Sequence, residues 1–191
     1  IEGVQLMKEG GKARLIMPYS LGLGIYGTKT IPFYSNLIYD IELIKVIKDP
    51  VKEDSLLVQS IIDSLAINDT LLGDTVYFLS KEPGTGVALQ KGDTAEINYL
   101  RRTIDGYVTD KSGAKPTLIP LNSSTIDGLL LALKQLQAGA KASILIKYKF
   151  GFGTDGLFGD YGDFYQQQIV PPTTSTIIDF EIKGIRRKAT Y

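Results

Sequence analysis

Leu136-Gln137-Ala138-Gly139-Ala140-Lys141-Ala142 reads like Met7-Lys8-Glu9-Gly10-Gly11-Lys12-Ala13, and internal repetition outranks other fold signals. Gly153 falls opposite Gly24 at the same offset of about 129 residues. Val170-Pro171 matches Ile31-Pro32, and Thr176-Ile177-Ile178-Asp179-Phe180-Glu181-Ile182 matches Leu37-Ile38-Tyr39-Asp40-Ile41-Glu42-Leu43. By then the offset has grown to about 139, so the second copy carries roughly ten extra residues in one loop. Two similar strands arise by chance. A helix end, a strand, a glycine turn, a proline turn and a second strand in one order do not. The second copy has a further stretch upstream, from about Thr75 to Ile126, with no counterpart in the first. The expectation is one partial and one complete copy of the same unit, N-terminally truncated.

The local patterns supply the elements. Asn36 to Ile44 alternates, with Leu37, Tyr39, Ile41 and Leu43 on one face, which is the period of a half-buried antiparallel strand. Ala13 to Met17 is its expected neighbour. Lys48-Asp49-Pro50 interrupts the pattern, and Asp54 to Ile67 shifts to helical spacing with its charged face expected in solvent. Strands are predicted at Val76 to Ser80, Thr94 to Tyr99, Ala142 to Ile146 and Thr176 to Gly184. Ala95, Ile97 and Tyr99 point one way. Asp105-Gly106 marks a hairpin. Ser124-Thr125-Ile126-Asp127 begins a helix expected to run to about Leu136 and to be ended by Gly139. The sum is an α+β fold, an antiparallel sheet wrapped around a short helix.

Composition narrows the chemistry. Across 191 residues the 21 basic side chains equal the 21 acidic ones, which removes the positive footprint of a nucleic-acid binder. Histidine and cysteine are both absent. That excludes a Ser-His-Asp system, a thiol nucleophile, a disulfide framework and the commonest zinc ligands. No metal or other cofactor is expected, and no segment is long and apolar enough for a membrane-spanning helix. Asp155, Asp160 and Asp163 lack the spacing of a calcium loop.

Gly10-Gly11-Lys12-Ala13-Arg14-Leu15-Ile16-Met17, then Gly24, Ile31-Pro32 and the Asp40/Glu42 strand resemble the FKBP-type peptidyl-prolyl isomerases. In the second copy Gly84-Thr85-Gly86, Lys91-Gly92-Asp93, Asn98-Tyr99, Asp105-Gly106 and Asp110-Lys111-Ser112 follow in that family's order. The lead-in with Asn68 and Val76-Tyr77 is similar to bacterial envelope members. The resemblance implies a half-barrel sheet around a helix. It divides the chain into the C-terminal half of a first domain (1–48), a linker with a helix (49–74) and a complete second domain (75–191) with an enlarged flap loop (154–168). It also implies a periplasmic or lipid-anchored place in a Gram-negative envelope.

The resemblance further implies a shallow pocket for proline. Tyr99, Asp110 and Phe152 take the positions of the pocket tyrosine, the pocket aspartate and the flap tyrosine. Ile126 takes the backbone-donor position, Leu129 the floor, and Ile169, Val170 and Ile178 the walls. Leu23, Ile31 and Tyr39 are the pocket positions left in the first copy. Leu129 stands where the family usually has tryptophan, Ile178 where it has phenylalanine, and Thr109 and Thr117 where it has aromatics. Such a pocket needs no nucleophile. Stripping water from an X–Pro amide favours the twisted, less dipolar transition state over the planar ground state. The implied function is peptidyl-prolyl isomerisation of proline-containing polypeptides in assisted folding, with the second domain weak or inactive. The alternative is a non-catalytic chaperone or interaction module of the same fold, to which exposed Phe158, Tyr161, Phe164 and Tyr165 would contribute. The unpaired half-domain strands are expected to pair with another segment or chain.

Overall fold

The structure, a computed structural model, describes residues 2–28, 30–160 and 166–187. It divides into two compact units, residues 1–48 and 49–191. The first contains a short helix α1 (Glu2–Gln5), strand β1 (Lys12–Met17), a 3-10 turn (Tyr19–Leu21) and strand β2 (Leu37–Glu42). β1 and β2 pair antiparallel from Lys12 opposite Glu42 to Met17 opposite Leu37. Arg14 clamps Asp40 across the pair through Nε at 2.7 Å and a terminal nitrogen at 3.0 Å. Ile16 and Ile38, opposite each other, are 72% and 65% exposed, so one face of this ribbon lacks apolar cover within its unit.

The second unit follows as α2 (Pro50–Leu65), β3 (Thr70–Leu71), β4 (Val76–Glu82), β5 (Thr94–Thr103), β6 (Val108–Lys111), β7 (Thr117–Pro120) and α3 (Asp127–Leu133). Then come β8 (Lys141–Ile146), β9 (Leu157–Asp160), β10 (Gln166–Val170) and β11 (Thr176–Arg186). The sheet runs β3-β4-β8-β11-β5-β6, with β7 beside β6 along the other half of β5. All the pairings are antiparallel. Leu129, Ala132 and Leu133 of α3 pack into the face formed by Val76, Phe78, Ile97, Ile144, Ile146, Ile178 and Ile182. On the other face Leu57, Val58 and Ile61 of α2 cover Tyr77, Leu145 and Ile177. Helices on both faces explain why Val76-Tyr77-Phe78 and Ile144-Leu145-Ile146 are unbroken apolar runs rather than alternating ones.

α2 is fixed by more than apolar contact. Asp49 caps it by accepting from Lys52 N at 3.0 Å. Asp54, expected in solvent, is instead buried. Its carboxylate accepts from Ser175 N and Ser175 Oγ, both at 2.6 Å, and Ser175 Oγ accepts in turn from Tyr148 N at 3.1 Å. Burial pushes the Asp54 carboxyl above its usual range, while the two bonds from Ser175 pull it back.

The internal repeat is visible bond by bond. Lys12 opposite Glu42 corresponds to Lys141 opposite Glu181, and Met17 opposite Leu37 to Ile146 opposite Thr176. Gly24 N donates to Tyr19 O at 2.8 Å, as Gly153 N does to Tyr148 O at 2.7 Å. Tyr19 N donates to Asn36 Oδ1 as Tyr148 N does to Ser175 Oγ. A Cβ on Gly27 would strike Ile31 O, and one on Gly156 would strike Val170 O; both glycines have positive φ, so both turns require glycine. The extra residues of the second copy lie between Gly156 and Val170, where β9 and β10 form a hairpin rather than an open loop. Tyr161, Asp163, Phe164 and Tyr165 lie outside the described residues.

α3 is shorter than expected, closing at Leu133 rather than near Leu136. The reason is a bridge between Ala88 and Gln137 with Gln137 N donating to Pro83 O and Ala138 N to Val87 O. These bonds draw Gln137 into the bridge and Ala138 into the turn that follows, out of the helix. Gly139, at φ +84, turns the chain into β8 instead of capping the helix.

Candidate functional site

β5 carries Ile97, Tyr99 and Arg101 on one face, by the two-residue period of a strand. These three, with Ile119 and Pro120 of β7, Ser124 and Thr125 of the following loop, Ile126 and Leu129 at the start of α3, and Ile178 of β11, line a cleft of about 200 Å³. Ile97, Leu129 and Ile178 are buried and form its floor and one side. Thr125 Oγ1 donates to Pro120 O, tying the loop to β7. Ile126 is the N-cap residue of α3, with its carbonyl accepting from Leu130 N at 3.0 Å. Its own N–H makes no hydrogen bond among the described residues, as the first amides of a helix have no intrahelical acceptor.

The polar groups are held in order. Tyr99 Oη donates to Asp110 Oδ2 at 2.6 Å, and Asp110 Oδ1 accepts from Lys111 N at 2.8 Å. Tyr99 N donates to Ser112 Oγ at 3.0 Å. Burial, and then the Asp110 carboxylate, push the Tyr99 phenol up to about 12. Arg101 donates from Nε to Thr109 Oγ1 at 3.0 Å, and one terminal nitrogen is 3.5 Å from Asp110 Oδ2. Its guanidinium carbon stands 4.7 Å from the centre of the Phe152 ring. Burial lowers the Arg101 pKa, partly countered by Asp110 and Tyr99.

Of the residues singled out from sequence, Tyr99, Ile126, Leu129 and Ile178 line the cleft directly. Asp110 and Phe152 reach it through Tyr99 and Arg101. Ile169 and Val170 sit on β10 and are not among the lining residues; Val170 is fully buried. Leu23, Ile31 and Tyr39 belong to the first unit, where Tyr39 is 45% exposed. Arg101 is the residue that sequence reasoning missed. The alternation through Ala95, Ile97 and Tyr99 leads to it, and a basic side chain in line with three apolar ones was the available signal. A larger, more open depression of about 440 Å³ is lined by Ser80, Glu82, Asn98, Ser143 and Asp179 among others. Asp179 there is already bound by Ser143 and Arg102 at 2.5 and 2.6 Å, so the smaller apolar cleft is the better candidate site.

The family described as FKBP-type peptidyl-prolyl cis-trans isomerase matches residues 1–44 and 86–183. The human "Peptidyl-prolyl cis-trans isomerase FKBP9" is 24% identical over 184 residues, covering 95% of this chain and 27% of that protein. An "FK506-binding protein" of Neisseria meningitidis is 46% identical over 46 residues, or 24% of this chain and 42% of its own length. The chain thus spans about a quarter of the human relative. In structure it is similar to a peptidyl-prolyl cis-trans isomerase of Pseudomonas syringae pv. tomato, at TM-score 0.60 and 23% identity, over 72% of this chain and 94% of that one.

Proposed function

The chain belongs to the FKBP-type peptidyl-prolyl cis-trans isomerase family, and on that premise we propose that its second unit binds proline-containing polypeptide in the cleft and accelerates X–Pro rotation. One observation carries the reading: a mostly apolar cleft with a single ordered phenol, Tyr99, fixed at its rim by Asp110. Proline would rest on Leu129 and Ile178, and the unpaired Ile126 N–H would receive a substrate carbonyl. Rotation has a barrier of roughly 18–20 kcal/mol set by amide resonance. Excluding water removes solvation that favours the planar, dipolar amide, so the twisted form gains relative to it. A preference of about 5 kcal/mol would give nearly four orders of magnitude in rate. Phe152 has no hydroxyl, Leu129 and Ile178 offer no aromatic face for ring stacking, and the cleft is small. These features support weak catalysis by this unit.

The first unit is read as the C-terminal half of a first such domain, with 49–74 leading into the complete second copy at 75–191. In the complete copy, the counterpart of β1 pairs on its far side with β4, and the counterpart of β2 pairs with β5. Among the described residues β1 and β2 pair only with each other. The proposal therefore includes a pairing partner for those edges, since unpaired strands template further association.

The test is acceleration of cis–trans exchange in an alanyl-X-prolyl peptide, followed by NMR exchange or protease coupling. Acceleration by the chain at micromolar concentration, lost on filling the cleft with Leu129→Arg, is the expected result. No acceleration at that concentration would sink the catalytic reading, and peptide binding without acceleration would leave the interaction module in its place. Size analysis in solution checks the edge pairing, and a monomer with exchange-unprotected β1 and β2 amides would refute it.

A further inference from the structure

We propose that Arg101 makes the cleft select proline segments bearing a carboxylate beside the proline; the inference rests on the proline-binding reading above. Four arginine–aspartate pairs allow comparison, one of them Arg187 on Asp93 at 2.6 Å with the arginine side chain 45% exposed. Arg14 grips Asp40 at 2.7 and 3.0 Å, and Arg102 meets Asp179 at 2.6 Å. Arg101 comes only within 3.5 Å of Asp110, outside strong charge-assisted hydrogen bonding. Asp110 gives its short bonds elsewhere, to Tyr99 Oη and Lys111 N. Yet the Arg101 side chain is 12% exposed, against 68% for Arg14 and 32% for Arg102. The most enclosed guanidinium of the four has the loosest partner.

Its orientation is nonetheless fixed. Thr109 Oγ1 accepts from Nε, and the Phe152 ring stacks against the guanidinium. Both contacts leave the terminal nitrogens free of any hydrogen bond among the described residues, in a side chain that lines the cleft. A planar, pre-oriented fork with open N–H groups fits a carboxylate bidentately. A carboxylate bound there would also relieve the cost of an incompletely paired, half-buried charge. Asp110 shares the same field and opposes a second anion, so the expected selectivity is modest, about five- to tenfold.

The probes are acetyl-Ala-X-Pro-Phe-amide peptides with X as Glu, Gln, Leu or Lys. Binding is read by chemical-shift perturbation and turnover by cis–trans exchange. Glu should exceed its neutral isostere Gln about five- to tenfold, Lys should be weakest, and the Glu advantage should shrink in about 0.5 M salt. Arg101→Gln should abolish the Glu advantage while Leu binding persists. Arg101→Lys, which keeps the charge, serves if the glutamine variant fails to fold, and the wild-type series reads the proposal without any variant. An Ala-Leu-Pro peptide with a free C-terminal carboxylate, compared with its amide, distinguishes a chain end from an acidic side chain as the source. Glu equal to or weaker than Gln, and free acid no better than amide, while Leu still binds would overturn the carboxylate inference alone. Failure of every X–Pro peptide to bind would overturn the proline-binding reading and this inference with it.

Discussion

Gly128→Ala should destabilise the second unit, against the usual effect of replacing a helical glycine. Gly128 lies in α3 and is buried. Taken alone, the helix would gain about 1 kcal/mol, because alanine surrenders less backbone entropy than glycine. The tertiary setting reverses the sign. A Cβ at Gly128 would fall inside the 3.0 Å limit from Ile146 Cγ2, with Cγ1 and Cδ1 both at 3.1 Å. Ile146 is fully buried and cannot give way. It sits at the end of β8 between Val76 of β4 and Thr176 of β11, so two ladders fix its backbone. Overpacking of this kind costs about 1–3 kcal/mol, and the contact argues for the upper half of that range. The net loss is then about 1–2 kcal/mol, or roughly 3–8 °C in Tm for a unit of this size. Thermal unfolding followed by far-UV circular dichroism measures it. Because α3 carries Ile126 and Leu129, its displacement should also lower kcat/KM well below the unfolding range. In an Ile146→Ala background the same change should be neutral or stabilising, since the clashing atoms are gone. Wild-type stability for Gly128→Ala, or an equal loss in both backgrounds, would refute the steric account.

Asp54→Ala leaves the buried Ser175 N–H without its acceptor and should cost about 1–3 kcal/mol, seen as a lower urea midpoint. Asp54→Asn, which retains one acceptor, should cost less. The Asp54 carboxyl titrates above its ordinary 3.8 in the fold, so folding favours its protonated form. That contribution is complete below 3.8 and is lost as pH rises through the raised value. The stability of wild type relative to Asp54→Asn should therefore fall with rising pH above 3.8, and a difference that rises would contradict the burial argument. Tyr99→Phe removes the bond to Asp110 and should cost about 1–2 kcal/mol, together with a lower kcat/KM. With the phenol held to about 12, the wild-type rate should show no tyrosine limb below its ordinary value of 10. Its stabilising share is present below 10 and lost only as pH rises towards 12; a limb near neutrality would count against an ordered, protonated donor.

Local pattern reaches a long way in this protein because so much of it is repeated. Aligning Met7–Ala13 with Leu136–Ala142 placed β1 on β8. The change of offset at Ile31-Pro32 anticipated that the second copy is longer between Gly156 and Val170. Alternation in Leu37–Leu43 assigned the strand faces. The family's motif order placed Tyr99, Ile126, Leu129 and Ile178, which the fold gathers around one cleft. Such patterns are legible in the sequence because strand period, turn glycines and register are written within a few residues of one another.

The rest depends on what lies across the fold. No local signal says that α2 covers the outer face of the sheet, so the unbroken run Ile144-Leu145-Ile146 could not show which side each residue buries. Asp54 is buried only because Ser175, 121 residues away, supplies two donors. The end of α3 is decided by Pro83, Val87 and Ala88, which bind Gln137 and Ala138 and draw them away from the helix. Arg101 continues an apolar face by its period, but whether it would be solvated, paired or turned into the cleft is settled by Thr109, Asp110 and Phe152. Periodicity determines the face a side chain shares. The partners that arrive on that face, and hence the charge and shape of the site, come from contacts that only the tertiary structure brings together.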